Sequence, residues 1–174
     1  MKTQNLLRSL TILLTGLSLV ACSRANSSNG LDVESVRAKL AVIPLDQAVH
    51  LTNDEWQTIL SPEQFYVMRR AGTERPSSGG NALEHRHGIY FCSACANPLF
   101  DTTTKFNSGT GWPSFFQPIR KEAVHEGAGL PIFGMEISCA RCGSHLGHVF
   151  NDGPAPTGLR YCMNAVALKF RDAQ

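Results

Sequence analysis

The sequence has no internal repeat, no run of basic residues and no stripe of basic and aromatic residues. With 16 Lys and Arg against 14 Asp and Glu, the formal net charge is only +2, so no nucleic-acid partner is expected. Because 43% of the 174 residues are nevertheless hydrophobic and 17% are charged, the chain can form one compact domain with its own core. We expect that domain to be a monomer.

A long hydrophobic run is also missing. The apolar stretch at residues 10–21 follows Lys2 and Arg8, and is much shorter than the roughly 20 residues that a membrane span needs, so it is typical of an export signal. Its ending, LVAC at residues 19–22, resembles a bacterial lipobox, in which the cysteine is acylated and becomes the new N-terminus. Cys22 is then a lipid anchor; the alternative is an ordinary cleaved signal peptide with a coincidental cysteine.

This N-terminus predicts three segments. They are a lipoprotein signal peptide at residues 1–21, a lipid-anchored flexible tether at residues 22–48 that begins with small polar residues, and a folded domain at residues 49–174. We therefore place the protein in the cell envelope, attached to the membrane on its extracytoplasmic or periplasmic side. Ser23, where an aspartate would favour the inner membrane, favours the outer membrane if the cell has two.

Helical patterns precede a region that is typical of strands. Residues 31–40 are loosely helical, Thr52 and Glu55 form a capping-box pattern, and Ser61 followed by Pro62 starts a further helix that Gly72 ends. From residue 87 onward short apolar runs alternate with Gly, Pro, Asn and Asp. The runs are GIYFC, PLFD, TKFNS, PIFGMEISC, GHVFND and RYCMNAVALKF. We predict a mainly β fold with two or three N-terminal helices packed on antiparallel strands.

Four of the six cysteines form two C-x-x-C pairs, Cys92 with Cys95 and Cys139 with Cys142. Four thiolates satisfy the tetrahedral preference of zinc, and each pair is followed by turn-forming residues, as in a zinc knuckle. Two disulfides are an alternative in an exported protein, although a bridge within C-x-x-C closes a very small loop and stabilises little. A catalytic dithiol is a third alternative. We predict one structural zinc, which would have no open coordination position.

The remaining cysteine of the predicted domain is Cys162. If residues 159–170 form one strand, Arg160, Cys162 and Asn164 share a face. A cation beside a thiol favours the thiolate, which is the nucleophilic form. Cys162 could instead be a small core residue, as most free cysteines are, but a face with arginine and asparagine is a poor core face.

Two further groups of residues point to a site. His145 and His148 are separated by Leu146 and Gly147, and a turn at the glycine could present both imidazoles to one pocket for proton transfer or hydrogen bonding. A second metal site is the alternative. Trp112 stands in a glycine-rich loop, where it could form a wall for an apolar group or simply pack the loop onto the sheet.

Several motifs in order resemble the methionine-R-sulfoxide reductases of the B type. They are the two C-x-x-C pairs, SGTGWPSF at residues 108–115, HLGHVF at residues 145–150, DGP at 152–154, PTG at 156–158 and RYCMN at 160–164. The resemblance covers roughly residues 51–170 and includes SPEQFYVMRRAGTERP. It implies a fold of two antiparallel sheets with a structural zinc held by the paired cysteines.

The resemblance also implies an activity, which is reduction of the R epimer of methionine sulfoxide, free or in oxidised proteins, with thioredoxin as the usual reductant. The implied nucleophile is Cys162, and Arg160 helps to hold its thiolate. His145, His148 and Asn164 would bind or protonate the sulfoxide oxygen, and Trp112 and Phe150 would receive the methyl group. Thiolate attack on the sulfoxide sulfur would leave a sulfenic acid on the enzyme.

The sequence departs from one form of this family at Thr110. Many members have a cysteine there, which resolves the sulfenic acid as a disulfide, whereas a hydroxyl cannot do so. With Cys22 assigned to lipid and four cysteines to zinc, Cys162 has no partner thiol in the chain. We therefore predict a one-cysteine cycle with an external thiol donor, such as an exported thioredoxin-like protein.

Overall fold

A computed structural model describes residues 31–79, 86–127, 129 and 134–173. In this part of the chain three helices come first, α1 at Val33–Ala41, α2 at Asn53–Ile59 and α3 at Pro62–Arg70. Nine strands follow them: β1 at Gly88–Cys92, β2 at Pro98–Asp101, β3 at Lys105–Phe106, β4 at Ser114–Phe115, β5 at Val124–Glu126, β6 at Met135–Cys139, β7 at His145–Phe150, β8 at Arg160–Met163 and β9 at Leu168–Asp172.

The strands form two antiparallel sheets, as predicted. One has three strands in the order β2-β1-β9, and the other has six in the order β3-β4-β8-β7-β6-β5. Strand β8 is therefore an inner strand of the larger sheet, paired with β4 on one side and β7 on the other. Side chains on β8 are held in register by two neighbours.

The N-terminal ends of α2 and α3 are capped as the sequence predicted, whereas α3 ends with Ala71 as its left-handed cap, one residue before Gly72. The Thr52 hydroxyl accepts the Glu55 N–H while the Glu55 carboxylate accepts the Thr52 N–H, and Ser61 forms the same reciprocal pair with Gln64. Pro62 occupies the first turn of α3, where its missing N–H costs nothing. These local bonds fix where the two helices begin.

Helix α1 lies within the segment predicted as a flexible tether. Asp32 caps its N-terminus, Val36 is buried, and the Lys39 ammonium lies 2.6 Å from the Glu55 carboxylate on α2. The folded part of the chain thus starts at least as early as residue 33, before the predicted boundary at 49. Within the described residues no helix has the length and apolar character needed to cross a membrane.

An aromatic cluster joins the two sheets. Phe100 of β2 stacks on Phe115 of β4 with ring centroids 4.4 Å apart, and Tyr90 of β1 meets the same ring edge-on at 5.1 Å. Tyr161 of β8 contacts Phe100 at 5.9 Å, so one face of β8 belongs to the core. Because side chains alternate along a strand, Cys162 points to the other face.

The predicted continuous strand at residues 159–170 is wrong. Strand β8 ends at Met163, a 3-10 helix occupies Ala165–Ala167, and β9 starts at Leu168 in the other sheet. The chain passes between the sheets at this point, and Asn164 lies at the turn with its side chain bonded to distant backbone groups. Local alternation could not reveal those contacts.

Candidate active site

Cys162 lies at the centre of a row of polar residues across the larger sheet. It is directly opposite Ser114 of β4 and directly opposite His148 of β7. Side chains of directly opposed residues lie on the same face, so the thiol stands between a hydroxyl and an imidazole. Cys162 and His148 are half-buried, so both side chains are partly exposed.

Arg160 lies two residues before Cys162 on the same face, as predicted. Its guanidinium forms a bidentate pair with Asp152, with Nε–Oδ1 and Nη2–Oδ2 distances of 2.8 Å each. Its Cζ also lies 4.3 Å from the centre of the Phe150 ring. The bond to Asp152 raises the pKa of Arg160, burial opposes this, and the charge of the Cys162 thiolate raises it further. The guanidinium is therefore a fixed cation next to the thiol.

A bulge in β7 brings the two histidines together. Gly147 is paired with Ile137 and His145 with Ser138, so Leu146 is an extra residue and His145 turns to the same face as His148. The two rings lie 5.3 Å apart. The predicted turn at Gly147 is thus a bulged strand. The glycine is required for close approach, since a Cβ there would lie 2.1 Å from the Cys162 carbonyl oxygen.

The histidines have different surroundings. His145 is buried with its Nδ1 2.8 Å from the Glu136 carboxylate, while its Nε2 has no hydrogen-bond partner among the residues that the structure describes. Burial lowers the pKa of His148, the charge of His145 lowers it further, and Glu136 acts in the opposite direction. The His148 imidazole is therefore mainly neutral near pH 7 and releases a proton readily when it is charged.

The hydroxyls of Ser114, Ser108 and Thr110 form a hydrogen-bonded chain that ends next to the Cys162 sulfur. Ser108 Oγ lies 2.8 Å from both Ser114 Oγ and Thr110 Oγ1, and Thr110 Oγ1 lies 3.9 Å from Cys162 Sγ. The Ser114 hydroxyl also donates to the Trp112 carbonyl, at 3.3 Å. Thr110 thus lies next to Cys162, and it has a hydroxyl there instead of a thiol.

The other three predicted site residues are Asn164, Trp112 and Phe150. Asn164 is buried; its Oδ1 accepts the Glu74 N–H at 3.0 Å and its Nδ2 donates to the Leu146 carbonyl at 3.0 Å. Its amide is thus occupied by backbone groups. Trp112 is half-buried, and its buried Nε1 has no hydrogen-bond partner within the described part of the chain. Phe150 is half-buried beside His148, with ring centroids 6.5 Å apart.

The four paired cysteines converge on one point away from this row. Their sulfur atoms all lie within 4.8 Å of one another, with Cys92 to Cys142 at 3.8 Å and Cys95 to Cys139 at 3.6 Å. A zinc ion with Zn–S bonds of about 2.3 Å places tetrahedral sulfurs about 3.8 Å apart, so the cluster fits zinc. All four cysteines are free in the structure, so neither C-x-x-C pair forms the disulfide that was the alternative. The described residues contain no other cluster of three or more His, Cys, Asp or Glu side chains that could hold a metal ion. The histidine pair is therefore not part of such a cluster.

Comparison with known proteins identifies the family that the sequence motifs indicated. The SelR domain family matches residues 60–172. A protein of Methanosarcina barkeri named peptide methionine sulfoxide reductase MsrB is 50% identical over 127 residues, 72% of this chain and 89% of the relative. One of Pseudomonas putida with the same name is 54% identical over 125 residues, 71% of this chain and 95% of the relative. The chain belongs to the MsrB family.

The site of this MsrB family member includes residues that the sequence did not single out. Asp152, Glu136, Ser108 and Ser114 each contact a predicted residue, but they come from separate loops and strands. Only their polar character inside or beside the quoted motifs could have drawn attention to them. Glu74 is the least expected, because it comes 88 residues before Cys162 in the sequence.

Proposed function

We propose that this chain reduces the R epimer of methionine sulfoxide to methionine, with Cys162 as nucleophile, and that it repairs oxidised proteins or reduces the free amino acid. As a member of the MsrB family it acts on methionine sulfoxide with a thiol reductant. The observation that carries the proposal is the cross-strand row, in which Cys162 lies directly opposite His148 and two residues from Arg160.

The first step transfers oxygen to the enzyme. The Cys162 thiolate, held beside the Arg160 cation, attacks the sulfoxide sulfur while the sulfoxide oxygen takes up a proton. The bond that this attack forms between the two sulfurs then breaks as the oxygen, now a hydroxyl, moves from the substrate sulfur to the Cys162 sulfur, so that methionine leaves and Cys162 becomes a sulfenic acid. The substrate sulfur gains the two electrons that the Cys162 sulfur loses.

The proton comes from the histidine pair. His148 is directly opposite the nucleophile, and its lowered pKa makes its charged form a good acid. His145, hydrogen-bonded to Glu136, supports it from 5.3 Å away between ring centres. Phe150 and Trp112 are the apolar side chains available for the methyl group of the substrate. Asn164 acts through the backbone at Leu146 rather than through a free amide.

The second step uses a thiol from another molecule. Thr110 stands where many family members have the resolving cysteine, and its hydroxyl, 3.9 Å from the Cys162 sulfur, cannot form a disulfide. An external thiol attacks the sulfenic acid, water leaves, and a mixed disulfide forms. A second thiol group, from the same donor or another molecule, then releases Cys162 and forms the donor's disulfide. An exported thioredoxin-like protein has the required chemistry.

Zinc takes no part in either step. The tetracysteine cluster would bind one ion with four sulfur ligands and leave no coordination position for substrate. The ion would stabilise the fold by joining the end of β1 and the turn after it to the end of β6 and the turn after it, since these segments contain the two cysteine pairs.

A kinetic comparison of the two epimers tests the proposed activity. With dithiothreitol as reductant, the mature domain is expected to reduce methionine R-sulfoxide and to leave the S epimer unchanged. Absence of turnover on the R epimer would contradict the proposal and would favour the alternative hypothesis of a zinc-containing binding module. Faster reduction of hydrogen peroxide than of the R epimer would instead identify a thiol peroxidase.

We also propose that the protein is a lipoprotein of the cell envelope, attached through Cys22. The support is the LVAC ending of the apolar N-terminal stretch; Cys22 itself lies outside the described residues. Metabolic labelling with palmitate is expected to mark the wild-type protein and not Cys22→Ser. Label that persists in this variant would overturn the assignment.

A further inference from the structure

Glu74 is a buried carboxylate in the segment after α3, and the proposed cycle does not use it. The residue is 7% exposed. Its two carboxylate oxygens accept the N–H groups of Ala165 and Val166, at 2.5 and 2.8 Å, and its own N–H donates to Asn164 Oδ1 at 3.0 Å. Three hydrogen bonds thus tie Glu74 to the chain that immediately follows the Cys162 strand.

The hydrogen bonds from the Ala165 and Val166 N–H groups to Glu74 take the place of an N-terminal cap from the neighbouring chain. The 3-10 helix at Ala165–Ala167 starts after Asn164, whose side chain makes no capping bond to it. Free N–H groups at a helix start need an acceptor, and here Glu74 supplies both oxygens. The Asn164 N–H and Nδ2 both donate to the Leu146 carbonyl, at 2.8 and 3.0 Å. One network therefore holds the end of β8 and the bulge of β7 next to His145.

Burial of the ionised Glu74 carboxylate destabilises the fold. Burial raises its pKa, the hydrogen bonds from Val166 and Ala165 oppose this, and the acidic Glu63 adds to the rise. A carboxyl group whose pKa is higher in the folded state than in the unfolded state destabilises the fold once it is ionised. The pKa of Glu55 is shifted in the opposite direction. Glu55 is also buried, at 8% exposed, but its hydrogen bond from Lys39 lowers its pKa.

We propose that Glu74 is a positioning residue, which sets Cys162 relative to His148 by holding the backbone at residues 164–166. The inference rests on the proposed function for its kinetic test. Glu74 does not touch the reacting atoms; it acts through the Ala165, Val166 and Asn164 groups that it binds. Misplacement of a nucleophile by about 1 Å can lower a rate roughly 100-fold, so small movements at this turn matter.

The test compares Glu74→Gln with Glu55→Gln as a matched control. Glutamine keeps the shape but has one acceptor oxygen, so its NH₂ group would face the N–H of Ala165 or Val166. Glu74→Gln is expected to lower kcat on the R epimer roughly 10- to 100-fold with KM nearly unchanged, in protein that still folds. Glu55→Gln is expected to lower the melting temperature and leave kcat unchanged.

Several results would overturn the proposal. They are a wild-type kcat in Glu74→Gln, a change confined to KM, and failure of both Glu74→Gln and the shorter Glu74→Asp to fold, which would make the residue purely structural. Hydrogen exchange in the peptide spanning residues 160–168 gives a readout that needs no turnover. Exchange is expected to be faster in Glu74→Gln and unchanged in Glu55→Gln. A wild-type enzyme inactive on the R epimer would contradict the proposed function, while exchange still decides whether Glu74 holds this turn.

Discussion

Serine in place of Cys162 is expected to abolish reduction of methionine R-sulfoxide, lowering kcat/KM roughly a thousandfold or more. A hydroxyl stays protonated near pH 7 and is a weak nucleophile toward sulfur, so neither the Arg160 cation nor the histidines can restore the reaction. The variant should fold, because Cys162 is half-buried and not part of the tetracysteine cluster.

The measurement is steady-state kinetics on the R epimer with excess dithiothreitol, together with zinc content and a thermal melt of the same preparation. An unchanged zinc content and melting temperature would assign the loss of activity to chemistry. A folded Cys162→Ser variant with activity near that of wild type would contradict the role of this thiol.

Loss of the metal is expected to unfold the domain. Structural zinc sites in small domains contribute roughly 10–16 kcal/mol, whereas the whole free energy of unfolding of a domain is about 5–15 kcal/mol. Cys139 is fully buried, and Asn97 Nδ2 lies 3.6 Å from its sulfur while donating to the Ala123 carbonyl at 2.9 Å. Cys139→Ser would therefore remove a ligand and leave a buried hydroxyl among thiolates.

Far-UV circular dichroism and zinc analysis test this prediction. Wild-type protein should contain about one zinc per chain, in line with four sulfur ligands, and a strong chelator should cause zinc release and unfolding together. Cys162→Ser is the matched control, since it also removes one thiol but should retain zinc and fold. Metal-free protein with a native melting temperature would show that the cluster does not hold a structural ion.

The parts of the fold that were predictable from sequence depend on short-range signals. Two C-x-x-C pairs suffice to indicate the metal cluster, because each pair already presents two sulfurs from one turn. Thr52 with Glu55 and Ser61 with Pro62 mark helix starts through bonds made within one turn. The alternation of short apolar runs and turn residues was enough to predict antiparallel strands, whereas their division into two sheets was implied only by the family resemblance.

The missed features depend on contacts between distant segments. The break after Met163 is held by Glu74 and Leu146, neither of which is near it in the sequence. The two histidines share a face because Leu146 is an extra residue opposite β6, and not because of a turn at Gly147. Asn164 stands two residues after Cys162, as the pattern indicated, yet its amide is bound to backbone groups of the network that Glu74 completes.

The central claim is a cycle in which Cys162 alone accepts the oxygen. We would react fully reduced enzyme with one equivalent of methionine R-sulfoxide without any thiol and determine the intact mass, with Thr110→Cys alongside. Thr110 Oγ1 lies 3.9 Å from the Cys162 sulfur, so a thiol placed there is close enough to form a disulfide after a small movement. The expected result is one methionine formed and one oxygen atom gained by wild type, with a dimedone adduct confined to Cys162, whereas Thr110→Cys loses two hydrogens. An internal disulfide in the wild-type enzyme, or oxygen on any other residue, would contradict this account.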